Sequence, residues 1–521
     1  MGKTLNKNDK NRDMIVILDF GSQYTQLIAR RIRELKFYSE IYPYYTDISQ
    51  LKKKNPKGII LSGGPDSVLN ENSPDINKEI FDLNIPILGI CYGYHLIAKQ
   101  MGGIVECSKK AEFGHTIVEI KNRNNLFFNL PEKISVWMSH NDIIKKLPND
   151  FELAAVTHDN KVAAIINEKR DIYGLQFHPE VTHTEKGKEI LYNFANNICR
   201  CPQNWTPDSF IENTINEIKR EIGEGKVVAG MSGGVDSTVA AILTHKAIKN
   251  QLNCIFIDTG LMRKNEAQEV RDVFENCFDI KLNVYDYSKE FLKALKGITD
   301  PEEKRKIIGN LFIKVFEEKA KKIGKVTHLL QGTLYPDVIE STSVNGPSVK
   351  IKSHHNVGGL PEKMELSLLE PLKYLFKDEV RTIGENLKIP EKLLWRQPFP
   401  GPGLGIRVIG EVDGKKLDIL READEIIRRE IAQEGLNKKL WQYFGILLPV
   451  KSVGVMGDMR TYDYSLVLRI VTSYDGMTAD WAKLPHSLLG RISNILINQV
   501  KGINRVLYDI SSKPPSTIEW E

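Results

Sequence analysis

The chain has 521 residues, of which 41% are hydrophobic and 27% are charged, and its formal net charge is +5 at pH 7. This is the composition of a globular protein, and it excludes a disordered chain or a fibre. The length exceeds that of one ordinary domain, so we expect three domains. The charge is small and dispersed, which gives no reason to expect a nucleic-acid partner.

The start of the sequence is polar, and no apolar run approaches the roughly 18 residues needed to span a bilayer. We therefore expect a cytoplasmic protein without a membrane partner. The six cysteines are too few and too scattered for a disulfide framework, so we expect reduced thiols. Cys199 and Cys201 lack the two further ligands of a zinc site, and we expect no metal there.

The first predicted domain covers residues 1–203. Short apolar segments alternate with amphipathic ones, which predicts an open α/β domain with a largely parallel sheet. Predicted strands lie within 14–19, 57–61, 85–90, 115–120, 134–140, 162–167 and 171–177, and predicted helices within 25–35, 95–101 and 186–199. The segment 201–207 breaks this periodicity and marks the boundary.

A second α/β domain is predicted over 204–405 and a third over 406–521. The second has a helix within 210–225 and strands within 226–231, 253–258 and 326–333. Its end, Arg396–Arg407, is so rich in Pro and Gly that it must be a linker or a ligand loop. The third combines a charged helix over 415–435 with three strand-like stretches, which predicts a small α+β domain.

Cys91 is the candidate nucleophile. It lies between Gly89 and Gly93, after an apolar strand and before a helix. Such an elbow exposes a nucleophile at a tight turn, and the helix N-terminus favours a thiolate. The thiol still needs a base, and His178 is the best candidate. Glu180 lies on the same face of an extended segment and can orient the imidazole.

Three other histidines are alternative bases. His95 lies one helical turn beyond Cys91, where packing or capping is the simpler role. His140 and His183 stay open, and His183 is the harder to exclude because it follows the strand that carries His178.

The segments around Cys91 and His178 resemble the class I (triad) glutamine amidotransferases over about the first 200 residues. The resemblance implies that Cys91 attacks the side-chain amide of glutamine, His178 moves the proton, Glu180 holds His178 and ammonia leaves. It also implies an oxyanion hole made by the backbone N–H groups of Gly64 and Tyr92, which a negatively charged tetrahedral intermediate requires.

The segment SGGVDS follows an apolar strand and opens a helix. Its glycines allow close backbone approach, its serine hydroxyls donate to phosphate oxygens, and the helix N-terminus favours an anion. Asp236 would repel phosphate unless a cation bridges the two, which points to Mg²⁺. The alternative is a plain glycine-rich turn. The predicted phosphate-binding residues are Ser232, Gly233, Gly234, Val235, Asp236 and Ser237.

This loop resembles that of the N-type ATP pyrophosphatases, which cut ATP to AMP and pyrophosphate while adenylylating an acceptor. The end of the next strand then faces the nucleotide, with Asp258 and Gly260 as candidates and Thr259 and Arg263 as weaker ones. Two carboxylates further on, Asp337 and Glu340, are candidate Mg²⁺ ligands, and surface charge is an equal alternative.

Three further segments, 396–407, 449–464 and 512–521, occur in the same chain as the amidotransferase-like and pyrophosphatase-like segments. This combination resembles the glutamine-hydrolysing GMP synthetases over nearly the whole chain. The resemblance implies that ATP adenylylates xanthosine 5′-monophosphate (XMP) at O2 and that ammonia then displaces AMP to give GMP. It also implies a homodimer formed through 406–521.

XMP carries a phosphate and an electron-poor purine, so its site should offer cations and backbone donors. The candidates that this resemblance selects are Arg396, Gly401, Gly403, Lys513, Thr517 and Glu519. A frayed, solvated end is the alternative. The segment 351–361 resembles a mobile lid of this family, with Lys352, His354 and His355 reaching the nucleotide, and a plain loop is the alternative.

Two other classes of protein share some of these features. A tRNA-thiolating enzyme also uses a pyrophosphatase loop, and Cys199 with Cys201 would carry the sulfur, but it needs a basic RNA-binding face. A catalytically silent glutamine sensor would not need Cys91, His178 and Glu180 together.

Overall fold

The computed structural model describes residues 13–123, 125–342, 366–456, 459–473, 476 and 478–521. The predicted lid residues Lys352, His354 and His355 lie outside them, as does the side chain of Glu340. The chain divides into two compact units, Met1–Phe210 (unit 1) and Ile211–Glu521 (unit 2). No helix among the described residues is long and apolar enough to cross a membrane.

Unit 1 is built on one sheet, which has nine strands within its described residues, in the order β2-β1-β3-β4-β9-β8-β7-β5-β6. The half from β2 to β9 is parallel, and the half from β9 to β6 is antiparallel. The strands are β1 Ile15–Asp19, β2 Ser39–Pro43, β3 Gly58–Leu61, β4 Ile87–Ile90, β5 Ile104–Ile120, β6 Lys133–Lys146, β7 Glu152–Thr157, β8 Val162–Asn167 and β9 Ile172–Leu175.

Helices cover the parallel half of this sheet. They are α1 Thr25–Glu34, α2 Ile48–Lys54, α3 Tyr92–Gln100 and α4 Gly187–Tyr192, with a 3₁₀ turn at Lys78–Asp82 and a π-helical turn at Asn193–Ile198. Strands β3, β4 and β9 are buried along their whole length, which is typical of parallel strands between helices. Their carboxyl ends therefore meet at one edge of the sheet, where the loops that follow β3, β4 and β9 come together.

Unit 2 contains a second sheet, which is wholly parallel. Its order within the described residues is β12-β11-β10-β13-β14. The strands are β10 Val227–Gly230, β11 Leu252–Asp258, β12 Leu282–Asp286, β13 His328–Leu330 and β14 Ser367–Leu369. The helices are α5 Pro207–Ile222, which crosses the boundary between the units, α6 Val235–Ile248, α7 Glu266–Phe278, α8 Ser288–Ala294, α9 Pro301–Lys322, α10 Tyr335–Thr342, α11 Lys377–Asn386 and α12 Glu391–Leu394, with a 3₁₀ turn at Lys249–Gln251.

The rest of unit 2 is a smaller α+β layer. A 3₁₀ turn at Gly403–Ile406 leads into α13 Gly414–Gln433, and α14 is His486–Gln499. The strands are β15 Gln442–Met456, β16 Met459–Thr472, β17 Asp480–Trp481 and β18 Ile503–Tyr508. Strand β16 pairs antiparallel with β15 and β17 and parallel with β18. One continuous hydrophobic cluster joins this layer to the parallel sheet, through residues such as Ile308, Leu404 and Leu420.

The predicted fold class is confirmed: two open α/β sheets and a smaller C-terminal α+β part. The largely parallel character predicted for the first sheet applies to its half from β2 to β9. The domain limits at 203 and 405 stay predictions.

Candidate functional site

Cys91 occupies a strained elbow between β4 and α3. Its φ is 51° and its ψ is −100°, which is an unfavourable conformation for a residue with a side chain. The turn closes because its neighbours are glycines. A Cβ on Gly89 would lie 2.6 Å from the carbonyl of Gly93, and a Cβ on Gly93 would lie 2.5 Å from the oxygen of Leu61. The packing thus explains both glycines and presents the thiol at the edge of the sheet.

The structure brings the three predicted triad residues together. His178 Nδ1 lies 2.7 Å from Glu180 Oε1, and the Cys91 sulfur, which donates to Ser139 O at 3.6 Å, is near enough to the imidazole to affect its pKa. The side chains of His178 and Glu180 are 5% and 0% exposed. Burial disfavours the charged imidazole, but the Glu180 carboxylate and the Cys91 sulfur outweigh it and raise the pKa of His178 to about 11. The histidine therefore holds a proton at neutral pH, beside Cys91.

Backbone contacts fix the segment that carries His178. The amide of His178 donates to Trp137 O at 3.1 Å, and Thr184 Oγ1 donates to His178 O at 2.6 Å. Arg31 Nε donates to Glu180 O at 3.0 Å from helix α1. Sequence reasoning missed Thr184 and Arg31, since both act through backbone atoms that no motif records.

Each of the three alternative bases has another partner. His95 Nε2 lies 2.7 Å from Gln176 Oε1, and burial lowers the pKa of His95 to about 3. His140 Nδ1 lies 2.9 Å from Asp142 O. His183 packs on the ring of Trp137 with a centroid separation of 4.7 Å. These contacts favour His178 as the base.

The predicted oxyanion residues lie at the same edge. Tyr92 is the first residue of α3, where backbone N–H groups have no partner within the helix. A Cβ on Gly64 would lie 3.1 Å from the Tyr92 ring, and one on Gly63 would lie 3.3 Å from His178 Cε1. The loop after β3 therefore lies against both Tyr92 and His178.

In unit 2 the segment Ser232–Ser237 joins β10 to α6 in a tight loop. Gly233 has a φ of +70°, and Ser232 Oγ lies 3.1 Å from Ser237 Oγ. The amide of Gly234 points at Ser232 Oγ at 3.3 Å, and Val235 is the first residue of α6. Hydroxyl groups and a helix N-terminus thus converge at the carboxyl end of a parallel strand, which is a suitable place for a phosphate.

Asp236 forms an ion pair with Lys377 through Oδ2, while its Oδ1 is buried without a hydrogen-bond partner. An unpartnered carboxylate oxygen at the predicted phosphate loop fits a divalent cation. The described residues contain no cluster of three or more His, Cys, Asp or Glu side chains that could hold a metal. Asp337 lies in the first turn of α10 and accepts a hydrogen bond from the amide of Leu334 at 2.9 Å.

The glycine-rich segment Arg396–Arg407 packs against the loops that follow β10 and β11. Arg396 Nη1 donates to Gly233 O at 2.9 Å. A Cβ on Gly403 would lie 2.3 Å from the oxygen of Leu261, in the loop that follows β11, whereas one on Gly401 would meet nothing. In the same loop Asp258 Oδ1 accepts from the amide of Gly260 at 2.9 Å.

Of the two weaker candidates in that loop, Thr259 accepts from the amide of Leu261 at 3.2 Å. Arg263 is buried, with its guanidinium 4.2 Å from the ring centroid of Phe399. Burial lowers the pKa of Arg263 to about 10. Its Nε lies 3.5 Å from Asp424 Oδ2, and none of its three guanidinium nitrogens has a hydrogen-bond partner among the described residues.

The segment Lys513–Glu521, which we call the KPP segment, is ordered by the rest of unit 2. Lys513 pairs with Ala479 through backbone hydrogen bonds, and its Nζ donates to Gly476 O at 2.8 Å. Thr517 Oγ1 donates to Glu519 O. The Glu519 carboxylate accepts two hydrogen bonds from Arg407, at 3.1 and 2.7 Å.

Comparison with known proteins gives matches along the chain. The family "Glutamine amidotransferase class-I" matches residues 16–198, "NAD synthase" matches 208–315 and "GMP synthase C terminal domain" matches 429–520. Proteins called "GMP synthase [glutamine-hydrolyzing]" from Clostridium tetani and Brachyspira hyodysenteriae are each 56% identical to the chain. The alignments cover 98% of this chain and 100% and 99% of those proteins.

The folds, the Cys-His-Glu constellation and these matches define a glutamine amidotransferase joined to a synthetase of the ATP pyrophosphatase type. At this identity over nearly the full length, the chain belongs to the glutamine-hydrolysing GMP synthases. The predicted families, the ligase activity and glutamine-dependent GMP synthesis are confirmed. This family membership decides against a tRNA-thiolating enzyme and a silent sensor.

Proposed function

We propose that Cys91, His178 and Glu180 release ammonia from glutamine in unit 1. The thiol proton of Cys91 is the one that His178 holds, so the sulfur attacks the amide carbon as a thiolate. The oxyanion that forms is bound by the backbone N–H groups of Gly64 and Tyr92. The protonated His178 gives its proton to the departing nitrogen, so ammonia leaves and a thioester remains. His178 then takes a proton from water, which attacks the thioester and releases glutamate.

In unit 2, ATP binds along Ser232–Ser237 with its α-phosphate facing the loop Asp258–Gly260. The O2 atom of XMP attacks the α-phosphorus, the bond to the β-phosphate oxygen breaks and pyrophosphate leaves. Ammonia then attacks C2, the C2–O2 bond breaks, and AMP leaves with the former O2. The products are GMP, AMP and pyrophosphate, together with glutamate from unit 1.

Mg²⁺ with ATP is the proposed cofactor. Asp236 would hold it through the unpartnered Oδ1, and phosphate oxygens would complete the ligand set. The ion would supply charge neutralisation at the phosphates. Asp337 and Glu340 are the further candidate ligands. Asp337 already accepts from the Leu334 amide, so Asp236 is the stronger of the predicted ligands.

XMP is proposed to bind between the glycine-rich segment and the KPP segment. Arg396, Gly401 and Gly403 would provide one side of this site. Lys513, Thr517 and Glu519 would provide the other. The lid carrying Lys352, His354 and His355 stays a prediction from the sequence.

We further propose a homodimer formed through the hairpin of β15 and β16. Val453, Val455 and Tyr462 lie on one face of this hairpin and are 60%, 71% and 64% exposed. The opposite face is already used, because Ser452 is hydrogen-bonded to Asn504 at 2.9 Å. An exposed apolar face on a paired sheet fits the same face of a second copy.

The dimer is tested by the mass in solution. Tyr462→Glu together with Val455→Lys should convert a protein of twice the chain mass into one of the chain mass, measured by light scattering after gel filtration. Lys501→Glu, at another exposed position of the C-terminal part, is the control. A double variant that keeps the dimer mass would place the interface elsewhere.

The domain limits and the compartment complete the proposal. The three domains would cover residues 1–203, 204–405 and 406–521, and the enzyme would work in the cytoplasm. All six cysteines are free in the structure, which agrees with a reducing compartment.

The observation that carries the proposal is the buried Cys91–His178–Glu180 arrangement at the elbow. Incubation with glutamine, XMP, ATP and Mg²⁺ should yield GMP, AMP, pyrophosphate and glutamate in equal amounts. His178→Ala should lose this glutamine-dependent reaction, while His183→Ala should keep it. The reverse result would make His183 the base.

A further inference from the structure

Lys304 is a charged side chain without any exposed surface. It lies in the first turn of α9, and its relative exposure is 0%. Burying an ammonium group is costly unless each of its three N–H donors finds an acceptor. The position of Lys304 therefore needs a reason, and neither the fold of α9 nor the proposed chemistry gives one.

All three donors of Lys304 have partners, and those partners come from two separate segments. Nζ donates to Val408 O at 2.9 Å and lies 3.4 Å from Gly405 O. The third partner is the carboxylate of Glu521, whose side chain is 6% exposed. One ammonium group thus joins Gly405 and Val408, at the end of the glycine-rich segment and just beyond it, to the end of the KPP segment.

Neighbouring contacts reinforce the same junction. The second oxygen of the Glu521 carboxylate accepts from the amide of Gly410 at 3.2 Å, and Arg305 donates to the backbone oxygen of Glu521. A Cβ on Gly405 would lie 3.4 Å from Ile308 Cδ1 of α9. The start of α9 therefore holds both segments at a fixed distance from each other.

We propose that Lys304 and Glu521 are positioning residues that set the width of the XMP site. Neither touches the nucleotide: they fix the two segments between which it binds. This inference rests on the proposed placement of XMP between the glycine-rich and KPP segments.

Paired substitutions test the inference. Lys304→Met removes the charge while keeping a long side chain, and Glu521→Gln keeps the size of its partner. Removing one member of a buried pair leaves the other uncompensated, whereas removing both does not. Lys306→Met, at an exposed position of the same helix, is the matched control.

The kinetic readout is the ammonium-dependent reaction, with XMP and ATP titrated separately. In Lys304→Met the KM for XMP should rise about 10- to 100-fold, while the KM for ATP should stay within about threefold. Glu521→Gln, the milder change, should act in the same direction, and the double variant should recover part of the affinity lost in Lys304→Met. An unchanged KM for XMP, or an equal rise of both KM values, would overturn the inference.

A second readout needs no nucleotide. Amide hydrogen exchange of the unliganded protein, followed by mass spectrometry, should become faster in Lys304→Met over both 403–410 and 513–521. It should not change in Lys306→Met. Unchanged exchange in Lys304→Met would overturn the inference wherever XMP binds. If exchange rises in both segments while Lys513→Ala leaves the KM for XMP unaltered, the pair holds the segments together but the proposed placement of XMP is wrong.

Discussion

Replacing Glu180 by Gln tests the electrostatic part of the triad without changing its shape. The glutamine side chain is nearly the same size and can still contact His178 Nδ1, now 2.7 Å from Glu180 Oε1. It cannot supply the negative charge that opposes the effect of burial on His178. The pKa of His178 should therefore fall from about 11, because burial is then opposed by the Cys91 sulfur alone.

The size of the effect follows from burial. The Glu180 side chain is 0% exposed, so its ion pair with His178 is buried. Removing one partner of a buried ion pair costs about 3–5 kcal/mol. If this loss falls on the transition state, glutaminase turnover drops roughly 10²- to 10⁴-fold. A smaller fraction of the imidazole would be protonated at pH 8, so proton transfer to the departing nitrogen would be slower.

The assay is glutamate release at saturating glutamine, measured between pH 5.5 and 9.5. The variant should gain activity towards low pH, where His178 regains its proton, whereas the wild type should show no loss from this group until pH nears 11. Glu189→Gln, an exposed carboxylate of α4 whose side chain is 52% exposed, is the control. Glutaminase activity of Glu180→Gln within tenfold of wild type would refute the reasoning.

The pH dependence of thermal stability is a second test with the same Glu180→Gln variant. A pKa raised from 6.5 to about 11 contributes stability that is full below pH 6.5 and is lost progressively as the pH rises towards 11. The difference in thermal midpoint between wild type and Glu180→Gln should therefore be largest near pH 6 and shrink at pH 9.5. A difference that grows with pH would contradict this sign.

Three further predictions concern the division of work between the sites. Cys91→Ala should abolish glutamine use but leave ammonium-dependent GMP synthesis within about twofold, as measured by GMP formation; loss of both reactions in a folded variant would contradict separate sites. Asp236→Asn should lower XMP-dependent exchange of pyrophosphate into ATP by about 10²-fold, because it removes the proposed contact to Mg²⁺ and the ion pair with Lys377; unchanged exchange would contradict a role of Asp236 in the ATP site. Lys513→Ala should raise the KM for XMP roughly 10- to 100-fold, since one charge-assisted hydrogen bond is worth about 1.5–3 kcal/mol; an unaltered XMP titration would return Lys513 to a structural role.

The sequence predicted those parts of the fold that depend on local pattern. Short apolar runs such as 58–61 and 87–90 became buried parallel strands. The strand predicted over 115–120 is much longer in the structure, because β5 runs from Ile104 to Ile120. Polar residues such as Glu112 are tolerated there in an antiparallel pair with β6.

The site residues also differ in whether a local sequence pattern reveals them. Cys91, His178 and Glu180 were predictable because a strained elbow and a two-residue spacing leave a local signature. Arg31 and Glu180 are 149 residues apart, and Lys304 and Glu521 are 217 apart. Such contacts are set by how the elements pack together, and no motif or period in the sequence records them.

The central claim is that O2 of XMP is adenylylated and then leaves with AMP. The direct measurement uses XMP labelled with ¹⁸O at O2, with ATP, Mg²⁺ and glutamine, followed by mass spectrometry of the products. One ¹⁸O atom should appear in the phosphate of each AMP, and none should appear in pyrophosphate. Label found in pyrophosphate or released to water would contradict the proposed chemistry.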